Sequence, residues 1–179
     1  MALLPVHLLG SSILRQESAP VDAVDDKIRG FIADLFETMD AAEGIGLAAN
    51  QVGVALQVAV VGVDDDRFPL INPVIVESSG RATAEEGCLS IPDIYADVTR
   101  PEKIVVRTLT EDGQSRMIEA EGLKARAIQH EMDHLAGILF LDRLSPLKRR
   151  LLTNRWKKSG NDTPDHLLEV TAASTPTDK

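Results

Sequence analysis

A single cysteine, Cys88, in 179 residues excludes an internal disulfide framework and fits a reducing cytosol. No apolar run approaches the about 18 residues that a membrane-spanning helix needs, so no membrane partner is expected. The opening MALLPVHLLGSSIL lacks a positively charged start and is interrupted by Pro5 and His7, and no export signal is expected from it. Positive charge is in short supply: 19 Lys and Arg face 28 Asp and Glu, a net charge of -9, which argues against the chain as a whole coating DNA, RNA or an anionic membrane. Internal repeats are lacking too. The expected location is the cytoplasm.

What is present is enough for one sizeable core without staples. Residues 1–158 are expected to form a single catalytic domain, and 159–179 a C-terminal tail that is partly disordered, with its last ten positions without structure. Ile28, Phe31, Ile32, Leu35, Phe36 and Met39 repeat at helical spacing, and Gly44 is the expected stop. LQVAVVGV and LINPVIVE read as strands, and Lys103–Leu109 with Ser115–Glu121 read as a hairpin around Asp112-Gly113. A second helix is predicted over Leu123–Leu135. A third starts at Ser145-Pro146, with Leu147, Leu151, Leu152 and Trp156 as a modest apolar stripe beneath basic residues. Strands interrupted by helices without regular alternation predict an α+β fold, its antiparallel or mixed sheets packed around a central helix.

That central helix carries His130-Glu131-Met132-Asp133-His134. On a helix of about 3.6 residues per turn, residues four apart lie about 40° from each other, so both imidazoles can reach one ion while Glu131 faces its open position. The ordinary alternative is a solvated helix with two unrelated histidines. A catalytic site of this type needs a third protein ligand. Extending the motif puts Phe140 where a third histidine would stand, and the only later glutamate, Glu169, lies in the tail. Cys88 is the better candidate, although a lone cysteine is usually a small buried hydrophobe.

Three segments, GIGLAANQVG from Gly44, EEGCLS from Glu85 and QHEMDHLAG from Gln129, together resemble the signature motifs of the peptide deformylases, in the family's order, and the resemblance covers residues 1 to about 158. It implies a hydrolase that removes the formyl group from N-formylmethionyl nascent peptides and releases formate. Cys88, His130 and His134 are then the metal ligands, and Glu131 the proton carrier. Gln51 and the backbone N–H of Leu89 become the donors to the developing oxyanion. The resemblance implies one Fe2+ per chain in the cell, with Zn2+, Ni2+ or Co2+ in preparations; two imidazoles and a thiolate suit any of these.

A peptide added as a strand would lie beside Gly44, Ile45, Gly46 and Gly87, where glycines admit close approach. Ile45, Leu123 and Ala127 are candidates for an apolar side-chain pocket, with plain core packing as the alternative for each. Glu86 and Arg100 are a candidate pair to brace the cysteine loop, and Asp133 reads as an exposed helix carboxylate or a residue orienting a ligand histidine. Between Ser145 and Gly160 stand Lys148, Arg149, Arg150, Arg155, Lys157 and Lys158 with no acidic residue, a patch for ribosomal RNA or else a solvated cationic face. Two other readings compete with deformylase: a zinc endopeptidase, and a catalytically silent, metal-stabilised binding homologue.

Overall fold

The computed structural model describes residues 2–172. Its first long element, helix α1 (Asp26–Ala41), begins where the Asp25 carboxylate accepts the Ile28 N–H at 2.9 Å and buries Ile32, Leu35 and Met39. The helix ends where Glu43 adopts φ 56° and the Gly44 N–H donates back to the Met39 carbonyl at 2.9 Å, so the reversal falls one residue before the predicted glycine.

Among the described residues there are ten strands, in chain order β1 (Val6–His7), which precedes α1, β2 (Gly46–Ala48), β3 (Val58–Val63), β4 (Asp66–Ile71), β5 (Val74–Ser79), β6 (Ala82–Cys88), β7 (Ile91–Arg100), β8 (Lys103–Leu109), β9 (Ser115–Glu121) and β10 (Leu167–Leu168). They form four small antiparallel sheets, ordered β1-β10, β2-β3-β4, β5-β8-β9 and β6-β7. The β8–β9 hairpin has the predicted bounds. LINPVIVE, expected as one strand, is instead two in different sheets: Asn72 takes φ 49° and Pro73 has no N–H to donate, so the ladder breaks between Ile71 and Val74. The β6–β7 hairpin was not anticipated, although β7 alternates buried and exposed residues from Ile94 to Arg100.

Helix α2 (Gly122–Leu135) packs against β2, β3, β8 and β9 through Ala125, Ala127, Ile128 and Leu135, within one apolar cluster shared with Val61, Phe68 and Val106. Its opposite side is polar and equally buried, and faces the β6–β7 hairpin. A rigid helix enclosed on both sides is what holds side chains to fixed geometry. Gly137, just beyond it, takes φ 75° with the Arg15 backbone where a side chain would stand.

Helix α3 (Pro146–Lys158) starts with the predicted cap, the Ser145 hydroxyl accepting from the Lys148 N–H at 3.3 Å. Only half of the expected apolar stripe is buried. Leu152 and Trp156 join the cluster around Phe140 and Ile94, while Leu147 and Leu151 are exposed. Beyond Ser159 the chain turns back and Leu167–Leu168 pairs with Val6–His7. Residues 173–179, most of the stretch expected to be without structure, lie outside the described residues. Among the described residues no helix is long and apolar enough to cross a membrane.

Candidate metal centre and substrate cleft

One turn of α2 separates His130 from His134, and the Leu89–Ser90 turn that ends β6 brings Cys88 to the same point. The ligand atoms of the three lie within 4.8 Å of one another. His134 Nε2 is 3.3 Å from Cys88 Sγ and 3.2 Å from His130 Nε2. Behind the cluster, His130 Nδ1 lies 3.0 Å from Glu86 Oε1; a carboxylate can only accept there, which leaves the proton on Nδ1 and the lone pair of Nε2 facing the other two ligand atoms. Burial pushes His134 well below its usual pKa, keeping a lone pair available. Burial acts in the same direction on His130, but hydrogen bonds to Cys88 and Glu86 overcome it and hold that imidazole well above its usual value. The donor set of one sulfur and two imidazole nitrogens fits a borderline-soft divalent ion.

Glu86 is the hub of the support. It accepts from Arg100 Nε at 2.6 Å and Nη2 at 2.9 Å and from Arg126 Nη1 at 2.6 Å, and Arg126 is tied in turn to the Val98 and Ala82 carbonyls. Arg100 also donates to Asp133 at 2.9 Å, and Asp133 receives Arg143 at 2.6 Å. The pairing of Glu86 with Arg100 is as expected. Asp133, expected to be exposed, is buried between two arginines, and the carboxylate that orients a ligand histidine is Glu86. The signal for Arg100 was legible, since the alternation of β7 puts it on the inward face. Nothing in the sequence places Glu86 against His130, because that contact joins segments 44 residues apart.

Glu131 stands on the cleft side of α2 and is 4% exposed. Its Oε2 has no hydrogen-bond partner among the described residues, and burial pushes its carboxyl up to about 7. It fits only because residue 46 is glycine: a Cβ there would stand 2.8 Å from the Glu131 carboxyl carbon. Gln51 lies in the 3-10 turn Ala49–Val52 with its amide oriented by Oε1 accepting from the Ala48 N–H at 2.9 Å. Its Nε2 is thereby aimed at Ser90 Oγ, 3.1 Å, and Cys88 Sγ, 3.7 Å.

Gln51, Glu86, Cys88, Arg126, His130 and Glu131 border one cleft of about 620 Å³. Of the residues expected to bind metal or substrate or to take part in catalysis, all line it except His134. Ile45 and Leu123 are 45% and 55% exposed on its walls and so are not core residues, whereas Ala127 is both cleft wall and core. Gly87 faces the Tyr95 ring, where a Cβ would come within 2.6 Å. Residues Leu168–Thr171 also line the cleft, a placement that sequence reasoning missed.

Residues 3–150 match the model of the family described as polypeptide deformylase. The chain belongs to that family. Among similar deformylases, one from Brucella suis biovar 1 is 46% identical over 164 residues, 88% of this chain and 94% of the relative. One from Neisseria meningitidis serogroup C / serotype 2a is 48% identical over 166 residues, covering 91% and 99%. In structure, a Legionella pneumophila peptide deformylase superimposes with a TM-score of 0.84 at 41% identity, covering 88% of this chain and 95% of that one. An Ehrlichia chaffeensis deformylase, solved in complex with actinonin, gives 0.85 at 38% identity, covering 88% and 98%. This deformylase chain is thus an enzyme, a hydrolase, and the endopeptidase and silent-homologue readings fall away.

Proposed function

We propose that Cys88, His130 and His134 hold one divalent ion, Fe2+ in the cell, and that this site hydrolyses the formyl amide of N-formylmethionyl nascent peptides in the cytoplasm. The observation that carries the reading is the convergence of one sulfur and two imidazole nitrogens beside the unpartnered Glu131 carboxylate in an open cleft. Zn2+, Ni2+ or Co2+ would satisfy the same donors and occupy the site in preparations. When bound, the ion supplies Lewis acidity, bringing water from a pKa of about 15.7 towards neutrality.

The chain's own groups do the rest. Glu131 Oε2 takes the proton of the attacking water as oxygen bonds to the formyl carbon, and it delivers that proton to the departing amine as the C–N bond breaks. The products are formate and a free N-terminal methionine. Charge that builds on the formyl oxygen meets Gln51 Nε2 and the backbone N–H of Leu89, each held beside Cys88. The peptide runs as an added strand along Gly44–Gly46 and Gly87–Leu89, with the methionine side chain between Ile45, Leu123 and Ala127. Formate release from formyl-Met-Ala-Ser by iron-loaded protein, set beside the acetylated and internal-peptide counterparts, tests this reading. Equal cleavage of the acetylated peptide would refute it.

The basic face of α3 docks on ribosomal RNA near the emerging peptide. Its six cationic side chains are all exposed, and among the described residues only Arg149 is near a carboxylate, Asp142 at 3.4 Å. Such a contact weakens steeply with salt. Co-sedimentation with ribosomes should fall between low and moderate salt and fall further when Arg149, Arg150 and Lys157 are neutralised; binding that ignores both would remove the partner.

A further inference from the structure

The return of the chain after α3 is anchored at several points. Asn161 Nδ2 donates to Asp93 Oδ2 at 2.9 Å, at the tip of the β6–β7 hairpin. The Leu8 N–H donates to the His166 carbonyl at 2.7 Å, and the His166 ring fills the space that a side chain at Gly10 would need. Val6 pairs with Leu168 and His7 with Leu167. These anchors deliver Leu168, Glu169, Val170 and Thr171 to the wall of the catalytic cleft. Val170 packs in the same apolar cluster as Leu89, whose side chain covers Gly44, so the segment stands on the side where Gly44–Gly46 and Gly87–Leu89 would receive a peptide backbone. Leu123 and Ala127, candidates for the methionine pocket, come instead from α2.

We propose that Leu168–Thr171 is a specificity-determining wall that contacts the peptide beyond its formylated first residue, and that Glu169 there favours a cationic side chain. The inference rests on the deformylase reading. Leu168 and Val170 offer apolar contact to the peptide, while Glu169 lines the cleft and is exposed. The remaining charges around the cleft do not oppose that preference. Glu43, Glu85 and Asp93 are exposed carboxylates, and the cationic Arg126 is buried against Glu86. An exposed charge pair contributes modestly and is screened by salt, so the effect is one of preference between substrates, read at low ionic strength.

The test compares kcat/KM for formyl-Met-Ala-Lys and formyl-Met-Ala-Asp, each divided by the same preparation's value on formyl-methionine amide, which ends before the wall. That division removes differences in folding and metal content. Wild type should prefer the lysine peptide by about twofold to fivefold, and Glu169→Lys should invert the preference. Leu168→Ala with Val170→Ala should lower the tripeptide-to-amide ratio about threefold to tenfold, mostly through KM. A lysine-to-aspartate ratio unmoved by Glu169→Lys, or a tripeptide-to-amide ratio unmoved by the alanine pair, overturns the proposal. Wild-type protein that releases no formate from any of the three substrates refutes the deformylase reading instead.

Discussion

His130 Nδ1 donates to Glu86 Oε1 across 3.0 Å, and together with Arg126, which donates to the same carboxylate, it ties the helix of the two candidate histidine ligands to the strand that ends at Cys88. Glu86 therefore has two tasks. It sets the tautomer and angle of His130, and it neutralises Arg100 and Arg126, which are 4% and 8% exposed. Glu86→Ala should weaken metal affinity about 10- to 100-fold in a chelator competition. It should also destabilise the fold by about 3 kcal/mol in denaturant, because Arg126 loses its carboxylate partner and Arg100 keeps only Asp133, which Arg143 shares. Unchanged affinity would show that the hydrogen bond does not orient the ligand.

The same carboxylate makes stability depend on acid. Burial alone would raise Glu86, but hydrogen bonds from Arg100 and His130 and their charges overcome it and lower the carboxyl from 4.5 to about 2. The folded value lies below the unfolded one, so the ionised group contributes stability that is complete above the unfolded pKa. That contribution, on the order of 3 kcal/mol, is lost as pH falls through the window from about 4.5 to about 2. Unfolding free energy measured across this window should fall more steeply for wild type than for Glu86→Gln. Parallel curves would count against the depressed value.

Glu131 and Gly46 act as a pair, since the carboxylate fills the space that a side chain at 46 would claim. Glu131→Gln removes the proposed proton carrier and should cost about 100- to 10,000-fold in kcat, with the ion still bound by elemental analysis. Gly46→Ala keeps the carboxylate but displaces it, and a shift of about 1 Å should cost about 100-fold in kcat with metal content unchanged. Full activity in Gly46→Ala would mean that Glu131 need not sit where it does.

Gln51→Glu keeps the acceptor for the Ala48 N–H, whose partner oxygen is 2.9 Å away, while replacing the donor amide. Losing one donor to a developing oxyanion costs on the order of 3 kcal/mol of barrier, so kcat should fall about 100-fold or more. KM should change less. A fall confined to KM would place Gln51 in ground-state binding instead.

Much of this was legible in the chain because it depends on local periodicity. The turn Asp112-Gly113 dictates the β8–β9 hairpin, Ser145-Pro146 starts α3, and the spacing of His130 and His134 needs only a helix to become two ligands on one face. Other features depended on what lay opposite. Leu147 and Leu151 stand four residues apart, as Leu152 and Trp156 do, but no described element covers the first pair, so periodicity overstated the buried stripe. LINPVIVE has the composition of one strand, yet Asn72 and Pro73 send its halves into different sheets. Asp133 looks like any helix carboxylate until β7 is laid beside it with Arg100 facing inward.

By itself the sequence determined the candidate ligand types, the helical spacing of the two histidines and the three segments whose residue order marks the family, since these rest on chemistry and on the backbone's fixed repeat. Only the tertiary structure decided that Glu86 holds His130, that Asp133 is locked between Arg100 and Arg143, and that Leu168–Thr171 returns to the cleft. Each of these is a contact between segments distant along the chain, and its partner is chosen by packing of the whole core, which no local pattern of residues records.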